Sequence, residues 1–137
     1  MEKNEHTKDF IKHLALLDVD KGSEILSGNL AVNIKRYDYA IQIAKAASYE
    51  KRFYNKINYP IIQTPITVNK KKMPSSELIL SVIRQESEFD QKANSYVGAR
   101  GMMQLMTYTA KLVAKQAKMN YSKAKLTKDP EYNIKLG

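Results

Sequence analysis

The sequence has no cysteine, which excludes thiolate chemistry and disulfides. Its two histidines, His6 and His13, are seven residues apart and far from other ligand types, so no metal site is expected. Carboxylates remain, and among them Glu86 stands apart. In SSELILSVIRQESEFD, residues 75–90, Leu78, Ile79, Val82, Ile83 and Glu86 recur every three or four residues, the spacing of one helix face. A carboxylate at the end of an apolar stripe is a candidate for desolvation, which favours the protonated form a general acid needs. Glu88 lies about 200° from Glu86 around such a helix and faces the other way, and Asp90 shares the face of Glu86 only if the helix runs that far. Glycoside cleavage commonly uses two carboxyl groups ~5–9.5 Å apart, and the spacing fixes no second one. Taken alone, the pattern favours Glu86 as an ordinary helix residue, since surface glutamates are common.

The next stretch, NSYVGARGMMQLMTYTA (94–110), combines a small-residue loop with an apolar segment. Gly98 and Gly101 permit backbone angles or close approaches that side chains forbid. Gly98-Ala99-Arg100-Gly101 matches neither a phosphate loop nor a dinucleotide fingerprint. Nor does the chain contain a nucleophile elbow or a Ser/His/Asp set. No cofactor is expected.

The elements that must position these residues are helical. A helix is predicted over 7–18, carried by Phe10, Ile11, Leu14 and Leu17, and a second over 23–35 with Ile25, Leu26, Leu30 and Ile34 on one side. A third spans 37–49, where Tyr37, Ala40, Ile41, Ala44 and Ala47 share a face. Three short amphipathic helices cannot each bury an apolar face alone, so they are expected to stack as an α-superhelical, solenoid-like segment or a small bundle. Pro60, Pro65 and Pro74, with β-branched residues between them, predict an extended segment over 54–74, and Lys70-Lys71-Lys72 reads as an exposed loop. After Pro74, Ser75 is the predicted N-cap of a helix that has Glu77 in its first turn and ends near Glu88–Asp90. A helix from about Thr107 to Lys118, with Ala110, Val113, Ala114 and Ala117 inward, precedes a turn at Asp129-Pro130 and a new helix start at Glu131. The expected fold is all-α: a helical appendage (1–53), an extended linker (54–74) and a catalytic unit (75–137).

The net charge of +9 is uneven. Residues 61–137 carry 13 Lys and Arg against 6 Asp and Glu, whereas residues 1–60 carry 10 against 8. Such a surface attracts anionic partners, whether nucleic acid, anionic lipid or an acidic wall polymer, and is equally an ordinary solvated surface. Three consecutive lysines are too few for a nucleic-acid motif, so no specific nucleic-acid partner is expected. The hydrophobic share of 43% suffices for a core, and no run approaches the ~18 apolar residues of a membrane span. The N-terminus, MEKNEHTKDFIKHLALLD, has early acidic residues and no uninterrupted apolar core, so it does not read as a secretory signal. As translated, the chain would be cytoplasmic, unless its original N-terminus is missing.

Residues 79–110 closely resemble the catalytic core of the soluble lytic murein transglycosylase family, a lysozyme-like group. The stretches that carry the resemblance are Ile83-Arg84-Gln85-Glu86-Ser87-Glu88-Phe89, Ser95-Tyr96-Val97-Gly98-Ala99-Arg100-Gly101, Met102-Met103-Gln104-Leu105-Met106 and Thr109-Ala110. Asp129-Pro130-Glu131-Tyr132-Asn133-Ile134-Lys135-Leu136-Gly137 is similar to the family segment that opens the next core helix. Residues 10–60 resemble more loosely the last helices of the α-superhelical domain of larger members. Thr107 stands where the family usually has Pro, and Met102 where it has Leu. The family's later Ala-Tyr-Asn motif, whose Tyr bonds the acid, is absent from these 137 residues, so the expectation is a core truncated at the C-terminus.

The resemblance implies cleavage of the β-1,4 bond between N-acetylmuramic acid and N-acetylglucosamine in peptidoglycan, giving a 1,6-anhydro product. It implies Glu86 as the single catalytic acid and base, with Ser87, Ser95, Gln104 and Met106 lining the saccharide groove. It further implies glycan strands as partner, a monomer, and a periplasmic or cell-envelope location for the full-length relative.

Overall fold

The computed structural model describes residues 21–137 together with His6, Phe10 and His13. The helix expected over 7–18 therefore lies outside the described residues, but for Phe10 and His13. The chain divides into two units, Met1–Pro60 and Ile61–Gly137.

In the first unit, α1 spans Lys21–Asn33, α2 Tyr37–Tyr49 and α3 Asn55–Asn58. Ala31, Tyr39, Ala40, Ile43, Ala44 and Ile57 form its core. The apolar face of α2 follows the sequence pattern, with Ala40, Ile41, Ala44 and Ala47 buried. That of α1 does not. Ile25, Leu26, Leu30 and Ile34 are 40–72% exposed, and Ser27, Gly28 and Ala31 face inward instead. The reason is closeness: a Cβ on Gly28 would lie 2.7 Å from Ile57 Cδ1, so α1 meets its neighbours through its smallest residues and larger ones would overpack the contact. Polar bonds complete the unit. Arg52 grips the Glu24 carboxylate through Nη2 at 2.6 Å and Nε at 3.0 Å, and the Tyr54 hydroxyl donates to it at 2.8 Å. This bidentate, charge-assisted contact ties the segment after α2 back to α1.

In the second unit, β1 (Thr67–Val68) pairs antiparallel with β2 (Lys71–Lys72) in the register Thr67↔Lys72 and Val68↔Lys71. Asn69 and Lys70 both have left-handed φ, 46° and 62°, as a two-residue hairpin turn requires. The extended segment expected over 54–74 is thus interrupted by α3 and by this hairpin. The lysine run supplies one turn position and a short strand rather than a loop. Four helices follow: α4 (Ser76–Ser87), α5 (Thr107–Gln116), α6 (Lys125–Lys128) and α7 (Pro130–Leu136).

Ala110 and Ala114 of α5 are fully buried and pack with Leu105, Leu126, Tyr132 and Leu136. The Asp129 carboxylate caps α7 by accepting from the Tyr132 amide at 3.0 Å, with Pro130 in the first turn. The Tyr132 hydroxyl donates to the Asn120 carbonyl and accepts from the Ser122 amide, both at 2.9 Å, which pins the connection between α5 and α6. The fold class is all-α, and the hairpin is the one sheet among the described residues.

Candidate active site

The site is built on α4. Ser75 caps it, its Oγ accepting from the Leu78 amide at 3.4 Å. Backbone amide bonding and the Ser75 hydroxyl hold the Glu77 carboxyl in the first turn below its ordinary range. Ile79 and Ile83 are the buried face, and burying Ile83 completely contributes about 1.5–3 kcal/mol. The helix stops at Ser87 because Glu88 and Phe89 are both left-handed, φ 51° and 65°. Asp90 therefore leaves the helical face of Glu86, and α4 supplies no second carboxylate beside it.

Glu86 itself is exposed, and among the described residues no side chain bonds or pairs with it. The apolar shelter suggested by the spacing is not built around it. The row of residues four apart, Leu78, Val82 and Glu86, looks outward, with Leu78 56% exposed. Leu78 and Val82 instead line an apolar groove of about 320 Å³, shared with Ile79, Met103, Val113 and Leu136. Glu86 is one turn beyond Val82 along the same row.

The residue after Glu86 joins this helix to the glycine loop. The Ser87 hydroxyl donates to the Met102 carbonyl at 2.8 Å and approaches the Ile83 carbonyl at 3.4 Å. Its proton is thus committed inside the protein, and only its lone pairs remain to meet a ligand.

The loop is a chain of tight turns. Ser95 Oγ accepts from the Ala99 amide at 2.9 Å while its own amide donates to the Ala99 carbonyl at 3.0 Å. Gly98 has φ 94° and nothing within 4 Å of where a Cβ would stand, so it is needed for its backbone angle. Gly101, φ 74°, is needed for both angle and space: a Cβ there would meet the Leu126 carbonyl oxygen at 2.0 Å. Arg100 exchanges both backbone bonds with Leu105 at 3.1 Å and reaches Asn94 Oδ1 through Nη1 at 2.8 Å. Its Nε is buried without a partner. The turn so closed carries Gln104 in a left-handed conformation, φ 46°. Gln104 Nε2 donates to the Gly101 carbonyl at 2.8 Å, which leaves its amide oxygen to take a donor. Met106 stands at the N-cap of α5, 43% exposed, and offers adaptable apolar surface.

The structure thus links Ser87 directly to the loop of Gln104 and Met106, while Ser95 braces the far end of that loop. Sequence reasoning missed Asn133. It is fully buried in α7 and bonds the loop at both ends of its amide. Its signal was present: an amide between Tyr132 and Ile134, in a segment otherwise apolar on its inner side, must have a buried partner.

The family model described as the Transglycosylase SLT domain matches residues 63–137, more than half of the chain. The chain belongs to the SLT transglycosylase family. Over 68 residues it is 40% identical to the soluble lytic murein transglycosylase of Escherichia coli (strain K12), a match that takes in 49% of this chain and 10% of that protein. The matched stretch of the SLT chain therefore spans about a tenth of the length of that relative.

The crystal structure of the 70 kDa soluble lytic transglycosylase of Escherichia coli superposes with a TM-score of 0.73 at 28% identity, covering 88% of this chain and 20% of that one. A complex of the 70 kDa enzyme with bulgecin A gives 0.73 at 26% identity, with the same coverage. An inactive mutant of the lytic transglycosylase Slt from Pseudomonas aeruginosa gives 0.73 at 31% identity, covering 92% of this chain and 20% of that one. The SLT unit shares the all-α, lysozyme-like fold of these enzymes. Among the described residues no helix is long and apolar enough to cross a membrane.

Proposed function

We propose that this chain carries part of a peptidoglycan lytic transglycosylase core. It would bind glycan strands and cleave the MurNAc-β-1,4-GlcNAc bond to leave 1,6-anhydroMurNAc, with Glu86 as acid and then base. The observation that carries the reading is the exposed Glu86 carboxylate at the end of α4, joined through Ser87 to the loop of Gln104. In the first half of the reaction the protonated carboxyl donates to the glycosidic oxygen as the bond to C1 breaks. In the second, the carboxylate accepts the proton of the C6 hydroxyl as that oxygen bonds to C1.

An intramolecular hydroxyl replaces water, so no second carboxylate is needed to activate a nucleophile. Effective molarities of ~10⁵ M or more make that attack competitive. That α4 places no second carboxylate beside Glu86 is compatible with this scheme. Gln104 would orient sugar hydroxyl or acetamido groups, Met106 would offer apolar surface, and Ser87 and Ser95 would complete the groove wall. The setting is the periplasm or cell envelope, where the substrate is, with the protein acting as a monomer.

A second reading, a non-catalytic peptidoglycan-binding protein, draws on the exposure of Glu86 among the described residues. Muropeptide mass spectrometry separates the two. Digestion of purified sacculi should release anhydro-muropeptides, and Glu86→Gln should lower that release by about 10³-fold or more. Release of reducing ends instead would show a lysozyme-type hydrolysis. Retention on insoluble peptidoglycan by both proteins with no release would establish the binding reading.

A further inference from the structure

Among the described residues of Ile61–Gly137, the buried polar side chain that the proposed chemistry leaves unused is Asn133. It lies within α7 with no exposed surface, where an amide is tolerated only if its donor and acceptor are both met. Both are met on one short stretch of the glycine loop. Oδ1 accepts from the Met103 amide at 2.8 Å, and Nδ2 donates to the Arg100 carbonyl at 3.1 Å. That carbonyl also accepts from the Leu105 amide, so its two lone pairs are filled. Between these anchor points, the Met102 carbonyl accepts from the Ser87 hydroxyl at 2.8 Å.

The main chain is thus fixed at residues 100, 102 and 103 by side chains from α7 and α4, immediately before Gln104. The fit is close. The position of a Cβ on Gly101 is 2.5 Å from Asn133 Nδ2, so the loop backbone touches the amide with no room for a longer side chain. Leucine would strand the Met103 amide and leave the Arg100 carbonyl with the Leu105 amide as its one donor. Aspartate would keep the acceptor for Met103 but set a carboxylate oxygen against the Arg100 carbonyl.

We infer that Asn133 is a positioning residue: from α7 it fixes the Arg100–Met103 backbone, and through it the placement of Gln104 relative to Glu86. The inference rests on the reading of Glu86 and Gln104 given under Proposed function. A group that acts through Gln104 has a testable consequence that a merely stabilising residue lacks.

The test uses the 137-residue chain and its Asn133→Asp variant, titrated with a (GlcNAc-MurNAc)₂ tetrasaccharide. Ile134→Val, a core change on the same helix with no bond to the loop, is the destabilised control. Asn133→Asp should weaken binding about tenfold or more, as small misplacements of contact groups do, while Ile134→Val binds like wild type. In a Gln104→Ala background, Asn133→Asp should add less than about twofold, because the residue through which it acts is gone. Wild-type affinity in Asn133→Asp, an equal loss in the Ile134→Val control, or the full penalty persisting without Gln104 would each overturn the inference.

If the wild-type chain shows no saturable glycan binding, the functional reading fails and the positioning claim is decided by amide hydrogen exchange. Asn133→Asp should then speed exchange at Gln104 and Leu105, by about tenfold, relative to amides of α5. Unchanged rates there overturn it.

Discussion

The two loop glycines separate backbone angle from space. Both have positive φ, but only Gly101 has neighbours where a side chain would begin, the Leu126 carbonyl oxygen at 2.0 Å and Asn133 Nδ2 at 2.5 Å. Gly98→Ala should cost only the strain of a left-handed alanine, about 1–2 kcal/mol. Gly101→Ala adds a clash with backbone that cannot swing away, and should cost about 3 kcal/mol or more. Urea denaturation of the two variants checks the order. If the costs are equal, the contact with Leu126 is not as close as described. The same contrast explains what the residues of 94–106 disclosed and what they withheld. Two glycines in a small-residue loop were legible as needed, but which of them is packed depends on Leu126 and Asn133, more than 20 positions downstream. Glu86 was legible as a carboxylate on a helical row with apolar neighbours. Its exposure was not, because spacing tells which residues share a face and not what covers that face.

At the scale of elements, helix starts were more legible than helix ends. Ser75 and Asp129 cap α4 and α7 with their own oxygens, a short-range signal that the sequence displays directly. The ends of α1, α2 and α5 lack the glycine that usually marks them. Instead Lys35, Lys51 and Lys118 take the left-handed position, with φ of 58°, 60° and 52°. In each case the following amide reaches back to the carbonyl five residues before it, as Arg36 does to Ala31 at 2.8 Å and Met119 to Ala114 at 2.8 Å. A lysine there looks like one more helical residue, which is why α1 and α5 stop two residues short of their expected ends. The inward face of α1 was illegible for a different reason: small residues were chosen by the approach of Ile57, a contact no local period reports.

The bond of Glu24 to Arg52 and Tyr54 makes that packing pH-dependent. Hydrogen bonding from Arg52, then from Tyr54, holds the Glu24 carboxyl below its ordinary 4.5 against the opposing effect of burial. A folded-state pKa below the unfolded one gives stabilisation that is fully present above about 4.5 and is lost as pH falls through the lowered folded value. Glu24→Gln should therefore flatten the acid limb of stability of the 1–60 unit below that pH and weaken it at neutral pH. Circular dichroism melts from pH 7 down to pH 2.5 test this, and an acid limb identical in the variant would show that the cluster contributes nothing.

At the scale of the whole molecule, charge and groove make different demands on a partner. The excess of basic residues is concentrated in 61–137, and Lys111, Lys115, Lys118, Lys123, Lys125 and Lys128 are all exposed there. They lie on α5, α6 and the connection between them. Lys135, by contrast, is held by Glu131 at 2.5 Å, so part of the formal charge is already answered within α7. Glycan strands are recognised by hydrogen bonds and apolar contact, whereas acidic wall polymers are attracted over a Debye length that shrinks from about 10 Å at 0.1 M salt to about 3 Å at 1 M. If the chain binds the wall as proposed, retention on sacculi should have two components. The charge component should disappear between about 0.1 and 1 M salt and should weaken about tenfold when Lys123, Lys125 and Lys128 are replaced by Glu, each lysine near an anionic surface contributing up to ~1 kcal/mol. The glycan component should survive high salt and be insensitive to those replacements. Co-sedimentation with sacculi before and after removal of their anionic polymers resolves the two. Retention that ignores both salt and charge reversal would assign wall binding to the groove side of the unit alone, and the basic surface would then be a solvating one.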